Sequence, residues 1–270
     1  MLLFLVLLSL ALPAHTLIMN GIKSKFPFIV FIHIPYNETL SFRCTGTLLN
    51  HRFVLTAAHC VSDKDVNEFT WSSAQFQVYL GVSNVSNIGI DENIQSARVI
   101  SATAHPKYPI FNSPHDDIAV LELHRPVTFT RSIEPVVIKA NDETLLKGFH
   151  PLIVTGFGYT NQDENGENGK TSDHLLHARV HLSNDSACFK FSIHADESIC
   201  TKGEAQGADQ GDSGGPLLVQ SGTNYIQVGV TAEGRFEIVE GKLYDYNFSP
   251  RISKHCDFLK DATKGTFHCL

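Results

Sequence analysis

What most constrains this chain is a recurring pattern of short β-branched and aromatic runs bounded by polar or turn residues, with no sustained helical periodicity before the C-terminus. Phe28-Ile29-Val30-Phe31-Ile32 and Arg52-Phe53-Val54-Leu55 are two such runs. In Phe76-Gln77-Val78-Tyr79-Leu80 the residues Phe76, Val78 and Leu80 alternate with Gln77 and Tyr79, as a strand with one buried face requires, and Gly81 ends the run. Many short strands with polar turns imply an all-β barrel or sandwich. The 270 residues, 43% of them hydrophobic, suffice for one large β domain or two of ordinary size, and no linker or internal repeat divides them. Residues 253–262 read as a closing helix with Ser253 as its cap. Residues 161–170, polar and acidic, read as an exposed loop.

The first residues bear on compartment. Residues 2–12 are almost wholly apolar, and Pro13-Ala14-His15-Thr16 supplies small residues suited to cleavage. The stretch is too short to span a bilayer and is expected to be a signal peptide over residues 1–16, giving a secreted, extracellular protein without a membrane partner. In that oxidising compartment the six cysteines, an even count, suggest disulfides, and the lack of any C-x-x-C argues against a metal site. No cofactor is expected. With 21 Lys+Arg against 28 Asp+Glu and no basic run, nucleic acid is not an expected partner. Acceptor triplets for N-glycosylation begin at Asn37, Asn84, Asn184 and Asn247, the last weakened by Pro250.

Three stretches carry chemistry. Gly211-Asp212-Ser213-Gly214-Gly215-Pro216 sets a serine among small residues, as a nucleophile on a tight turn needs, although a glycine-rich turn alone is common in loops. Thr56-Ala57-Ala58-His59-Cys60 ends an apolar run on a histidine, and Asp117-Ile118-Ala119-Val120-Leu121 opens another with an aspartate. Histidine, aspartate, serine is the order of a chymotrypsin-type triad, in which imidazole takes the hydroxyl proton and carboxylate orients the imidazole. On these motifs the sequence resembles the trypsin/chymotrypsin family of serine proteases from about residue 18 to residue 260.

That resemblance implies two six-stranded antiparallel β-barrels, at about residues 29–123 and 135–252, in a protease domain of residues 18–262 followed by a tail of residues 263–270. It implies a serine endopeptidase with His59, Asp117 and Ser213 as catalytic residues, Asp117 rather than Asp116 because the family aspartate directly precedes the isoleucine. Gly211 and Ser213 would form the oxyanion hole, and a new ammonium at Ile18 would pair with Asp212. It pairs Cys44 with Cys60 and Cys188 with Cys200, and leaves Cys256 and Cys269 for each other. Leu152 and Val219 stand where the family usually has two cysteines, and Asp209 where it has another. Partners would be protein or peptide substrates and protein protease inhibitors, and the enzyme would be a monomer.

The sequence departs from the family in places that bear on specificity and activation. Thr16-Leu17 stands where an Arg or Lys usually precedes the mature terminus, so signal-peptide removal, with trimming, is the expected route to Ile18. Gly207 and Ala208 fall at the base of the primary pocket, which leaves Asp209, Glu233, Gly234, Asp245 and Asn247 as candidates for setting preference. Ala232 and Glu233 replace a serine and a tryptophan; Glu233 favours basic substrate side chains. These departures motivate a second reading, a secreted non-catalytic or weakly catalytic binding protein on the same scaffold. An esterase on an α/β fold is opposed by the order of the three residues and the lack of alternating helices. His105, His115, His174, His177 and His181 lie in no motif and read as structural or surface residues.

Overall fold

A computed structural model describes residues 26–35, 41–62, 76–108, 114–148, 150–160, 170–189 and 196–270. The expected signal peptide, Ile18, Asn37 and all but the last residue of the 161–170 loop lie outside the described residues.

The first half is a closed barrel of six strands: β1 (Ile29–Pro35), β2 (Ser41–Leu48), β3 (Phe53–Thr56), β4 (Gln77–Leu80), β5 (Gln95–Ala104) and β6 (Ala119–Leu123). Their order is β1-β2-β3-β6-β5-β4, and antiparallel pairing of β4 with β1, Val30 opposite Leu80, closes the ring. The expected alternation holds at β4: Phe76, Val78 and Leu80 are buried while Gln77 and Tyr79 are half-buried. All four residues of β3 are buried.

The second half is built from β7 (Val137–Ile138), β8 (Leu152–Gly156), β9 (Leu176–Leu182), β10 (Ser198–Glu204), β11 (Pro216–Ser221), β12 (Asn224–Val230), β13 (Glu233–Val239) and β14 (Lys242–Pro250). They form one sheet in the order β13-β14-β10-β9-β8-β11-β12-β7, so two strands extend the six the family pattern implies. One is β7, two residues paired parallel to β12; the other is β13, which forms a hairpin with β14. The sheet curls back on itself where Gly229 bridges Arg251 and the Ala232 N–H donates to the Phe248 carbonyl at 3.2 Å.

A continuous apolar core runs through the first barrel and takes in Phe157, Leu218, Val230 and Leu259 from the second half. Leu152 and Val219, standing where two cysteines were expected, share a second buried cluster, so apolar packing replaces a covalent link. The three disulfides pair as the resemblance implies: Cys44–Cys60, Cys188–Cys200 and Cys256–Cys269.

Two short helices complete the described chain: α1 (Ser186–Phe189), and α2 (Cys256–Ala262) behind a 3-10 turn, Ile252–His255. Ser253 therefore lies inside the turn and does not cap α2; the cap position falls on His255, which makes no side-chain capping bond. Residues 263–270 are fastened down. Phe267 is buried, Cys269 is cross-linked, and Leu270 exchanges backbone hydrogen bonds with Ile138 (2.9 Å) and Ala140 (2.8 Å) beside β7.

Candidate active site

His59 sits on a single 3-10 turn, Ala58–Cys60, held between β3 and the Cys44–Cys60 disulfide. Its backbone N–H donates to Asp117 Oδ1 at 2.8 Å, and its ring Nδ1 meets Asp117 Oδ2 at 2.6 Å. A carboxylate only accepts, so in the neutral ring Nδ1 carries the proton and Nε2 the lone pair. Asp117 is buried and His59 is 24% exposed, so the acid is shielded while the ring reaches the surface. Asp116 faces away, toward His105 and His255. Of the two adjacent aspartates, Asp117 is the one that holds His59.

Ser213 lies on the turn that enters β11. Gly211 and Gly214 on either side have φ of +95° and +80°, a region that disfavours side chains. A Cβ on Gly214 would also fall 2.0 Å from Thr56 Oγ1 and 2.4 Å from the Thr45 carbonyl, so the turn lies flush on the first barrel. Thr45 of β2 fastens it there: its N–H donates to the Ser213 carbonyl at 2.8 Å and its hydroxyl to the Gly211 carbonyl at 2.9 Å. The Ser213 carbonyl is also 3.7 Å from Cys60 Sγ, one residue beyond His59. The N–H groups of Asp212, Gly214 and Gly215 donate to Asp209, Thr231 and Asp212 carbonyls. Among the described residues no backbone carbonyl takes the N–H of Gly211 or Ser213.

Asp212 points inward, 1% exposed, accepting from the Gly158 N–H at 2.8 Å and the Asp209 N–H at 3.0 Å. A Cβ on Gly158 would fall 2.4 Å from Asp212 Oδ2, so only glycine admits this carboxylate. Burial pushes Asp212 up to about 7. Its proposed partner Ile18 lies outside the described residues. Asp209 is likewise pushed up by burial to about 6, and Asp245 is raised by burial and by the charges of Asp209 and Asp212.

A cleft of about 330 Å³ opens beside Ser213, lined by Ala208, Asp209, Glu233, Gly234 and Asn247 among the residues singled out from sequence, and by Thr231 and Phe236. Gly207 and Asp245 lie behind it: a Cβ on Gly207 would fall 1.6 Å from Asp245 Oδ2, so the carboxylate fills the space a side chain there would need. Asn247 is also buried; its amide donates to Asp245 Oδ1 at 2.6 Å and its carbonyl accepts from the Ala208 N–H at 2.9 Å. At 2% exposure the Asn247 side chain leaves no room for a sugar. Asn184 is exposed, and Asn84 Oδ1 accepts from the Ser86 N–H at 3.0 Å in a local turn. Phe236 and Thr45 were not legible as site residues. Each belongs to an ordinary strand sequence, and only β13 folding over the cleft and β2 passing under the serine turn bring them there.

Comparison with known proteins agrees with this architecture. The family profile described as Trypsin matches residues 19–252. The chain is 28% identical to Serine protease grass of Drosophila melanogaster, over 80% of this chain and 60% of that protein. It is 30% identical to Venom protease of Bombus pensylvanicus, over 71% of this chain and 75% of that one. It is 32% identical to Testisin of Homo sapiens, over 71% of this chain and 62% of that protein. The chain thus spans about three fifths of the length of two of these three relatives. A closed six-stranded barrel, a second β half with the serine turn docked onto the first, and a family match over most of the length place this chain in the Trypsin family of serine proteases.

Proposed function

We propose that this chain is a secreted serine endopeptidase acting through His59, Asp117 and Ser213. Ser213 Oγ attacks the substrate carbonyl carbon while His59 Nε2 takes the hydroxyl proton. The oxyanion that forms accepts from the Gly211 and Ser213 N–H groups, the electrostatic contribution that usually dominates such reactions. Collapse breaks the C–N bond, and the departing amine takes the proton from His59. Water, deprotonated by the same ring, then attacks the acyl-serine, releasing the carboxylic acid and returning the proton to Ser213. The observation that carries this reading is the two-point hold of Asp117 on His59, which fixes the tautomer a general base needs.

Among the described residues the cleft wall contributes Asp209 and Glu233 and no cationic side chain, which favours substrates with Lys or Arg at the residue before the scissile bond. Secretion rests on the apolar residues 2–12; among the described residues no helix is long and apolar enough to cross a membrane. The new ammonium at Ile18 would relieve the cost of burying ionised Asp212. Sequencing the terminus of the active secreted protein checks this, since an intact residue before Ile18 in fully active material rules the pairing out.

Fluorophosphonate labelling of the secreted protein, beside its His59→Ala variant and a peptide-library cleavage profile, tests the whole reading. Labelling of Ser213 that depends on His59, with cleavage after basic residues, is the expected result. A folded protein that neither labels nor cleaves would instead be a binding protein on this scaffold.

A further inference from the structure

Asp116, the aspartate turned away from His59, belongs to a second cluster. Asp116 Oδ1 stands 3.1 Å from His105 Nδ1 and 4.0 Å from His255 Nδ1, and one donor atom from each residue lies within 4.8 Å of the other two. The three come from separate parts of the chain. His105 follows β5, Asp116 closes the 3-10 turn Pro114–Asp116 just before Asp117, and His255 closes the turn that leads into α2.

The contacts inside this cluster are not those of a finished hydrogen-bond network. His105 Nδ1 is buried and makes no hydrogen bond despite its 3.1 Å approach to the carboxylate, and His255 Nε2 is buried with no partner among the described residues. With Nε2 unpartnered, the hydrogen bond that holds the His255 ring to the His115 backbone falls to Nδ1, the outer support that metal-binding imidazoles commonly have, and leaves Nε2 as the ligand atom. Buried polar nitrogens left unpaired are costly, so their retention in one place asks for a ligand. Donors close together yet out of line with one another suit a common central atom better than each other.

The dimensions fit a small cation. Tetrahedral zinc, with N and O ligands at about 2.0–2.2 Å, sets its ligand atoms about 3.3 Å apart. The His105–Asp116 edge is already of that length, and the His255 donor, within 4.8 Å of the other two, closes in by side-chain rotation. Two imidazoles and one carboxylate suit zinc, copper or nickel, whereas calcium and magnesium take oxygen sets. Side-chain exposures of 12%, 10% and 6% for His105, Asp116 and His255 leave the cluster nearly, but not wholly, closed to solvent. Glu197 adds negative charge near both rings, Lys107 opposes it, and Asp116 adds its own charge at His105.

We propose that His105, Asp116 and His255 bind one divalent transition-metal cation of the zinc type, tying the turn that carries Asp117 to the start of the C-terminal helix. The site was not legible in the sequence, which shows no metal-ligand spacing. Its test does not depend on proteolytic activity, so it stands or falls apart from the proposed function.

The secreted full-length protein, stripped with EDTA, is titrated with cobalt(II) and zinc. One equivalent of cobalt(II) should give visible absorption bands of a four- or five-coordinate site, zinc should displace it, and zinc should raise the melting temperature. His105→Gln and His255→Tyr should each weaken binding by about tenfold or more, while His59→Ala should leave it unchanged. Asp116→Asn, which keeps the shape and removes the charge, decides the matter if a histidine variant fails to fold. Absence of the cobalt bands, tight binding retained in both His255→Tyr and Asp116→Asn, or binding lost with His59→Ala would each overturn the proposal.

Discussion

Asp116 and Asp117 show how much one residue of chain direction decides. The Ile118 N–H closes back on the Asp116 carbonyl at 2.8 Å, and beyond that tight turn the two carboxylates diverge, one to the His105–His255 pair and one to His59. Turnover should therefore fall by about four orders of magnitude in Asp117→Asn, whose amide favours the wrong imidazole tautomer. Ser213→Ala should lose several orders with secretion and thermal unfolding unchanged; initial rates on a fluorogenic peptide check both. Asp212 predicts a pH effect on stability. Its folded pKa, about 7, lies above its ordinary 3.8, so the folded state of the chain uncut before Ile18 binds the extra proton. Stability should be greatest below pH 4 with respect to this group, decline as pH rises to about 7, and level off above, by on the order of a few kcal/mol in all. Urea midpoints measured across that range should show a flatter dependence in Asp212→Asn.

Among the elements, the strands were the most legible. Period-2 alternation at β4 and the β-branched run of β1 record burial on one face, a local property that side-chain chemistry carries directly. The start of α2 was not, because the chain spends Ile252–His255 in a tighter 3-10 turn before the helix, and Ser253 falls within it. The strand β13 was also missed: its residues are mostly exposed, and pairing with β14 rather than an apolar pattern makes it a strand. The serine turn depends on its neighbours in the same way. Gly214→Ala must place a side chain at φ +80° and displace Thr56 and Thr45, and should cost about 2–5 kcal/mol by chemical denaturation. Arg251, at the end of β14, holds buried Asp142 with Nε at 2.9 Å from Oδ1. Arg251→Met would strand that carboxylate and should destabilise by about 3–5 kcal/mol.

At the scale of the molecule, the site exists because two β halves are locked together. Thr47 of β2 donates to Gln227 of β12 at 2.8 Å in the buried interior, Thr45 fastens the serine turn, and apolar side chains of both halves share one core. The Cys256–Cys269 bridge anchors the C-terminal segment on which Leu270 meets β7. Replacing both cysteines with alanine should lower stability by about 3 kcal/mol, read as a shift in the melting temperature, with peptidase activity retained at 25 °C. The sequence by itself determined the β class, the three disulfide partners through a family pattern, and the motifs bearing His59, Asp117 and Ser213, because each rests on residue types a short stretch must contain. Only the tertiary structure decided that Asp116 joins His105 and His255, that Asp245 sits behind Gly207, and that Phe236 and Thr45 serve the site. Those relations link residues far apart in the chain, and a side chain's partner there is set by where the opposite half of the fold comes to rest, which no local pattern encodes.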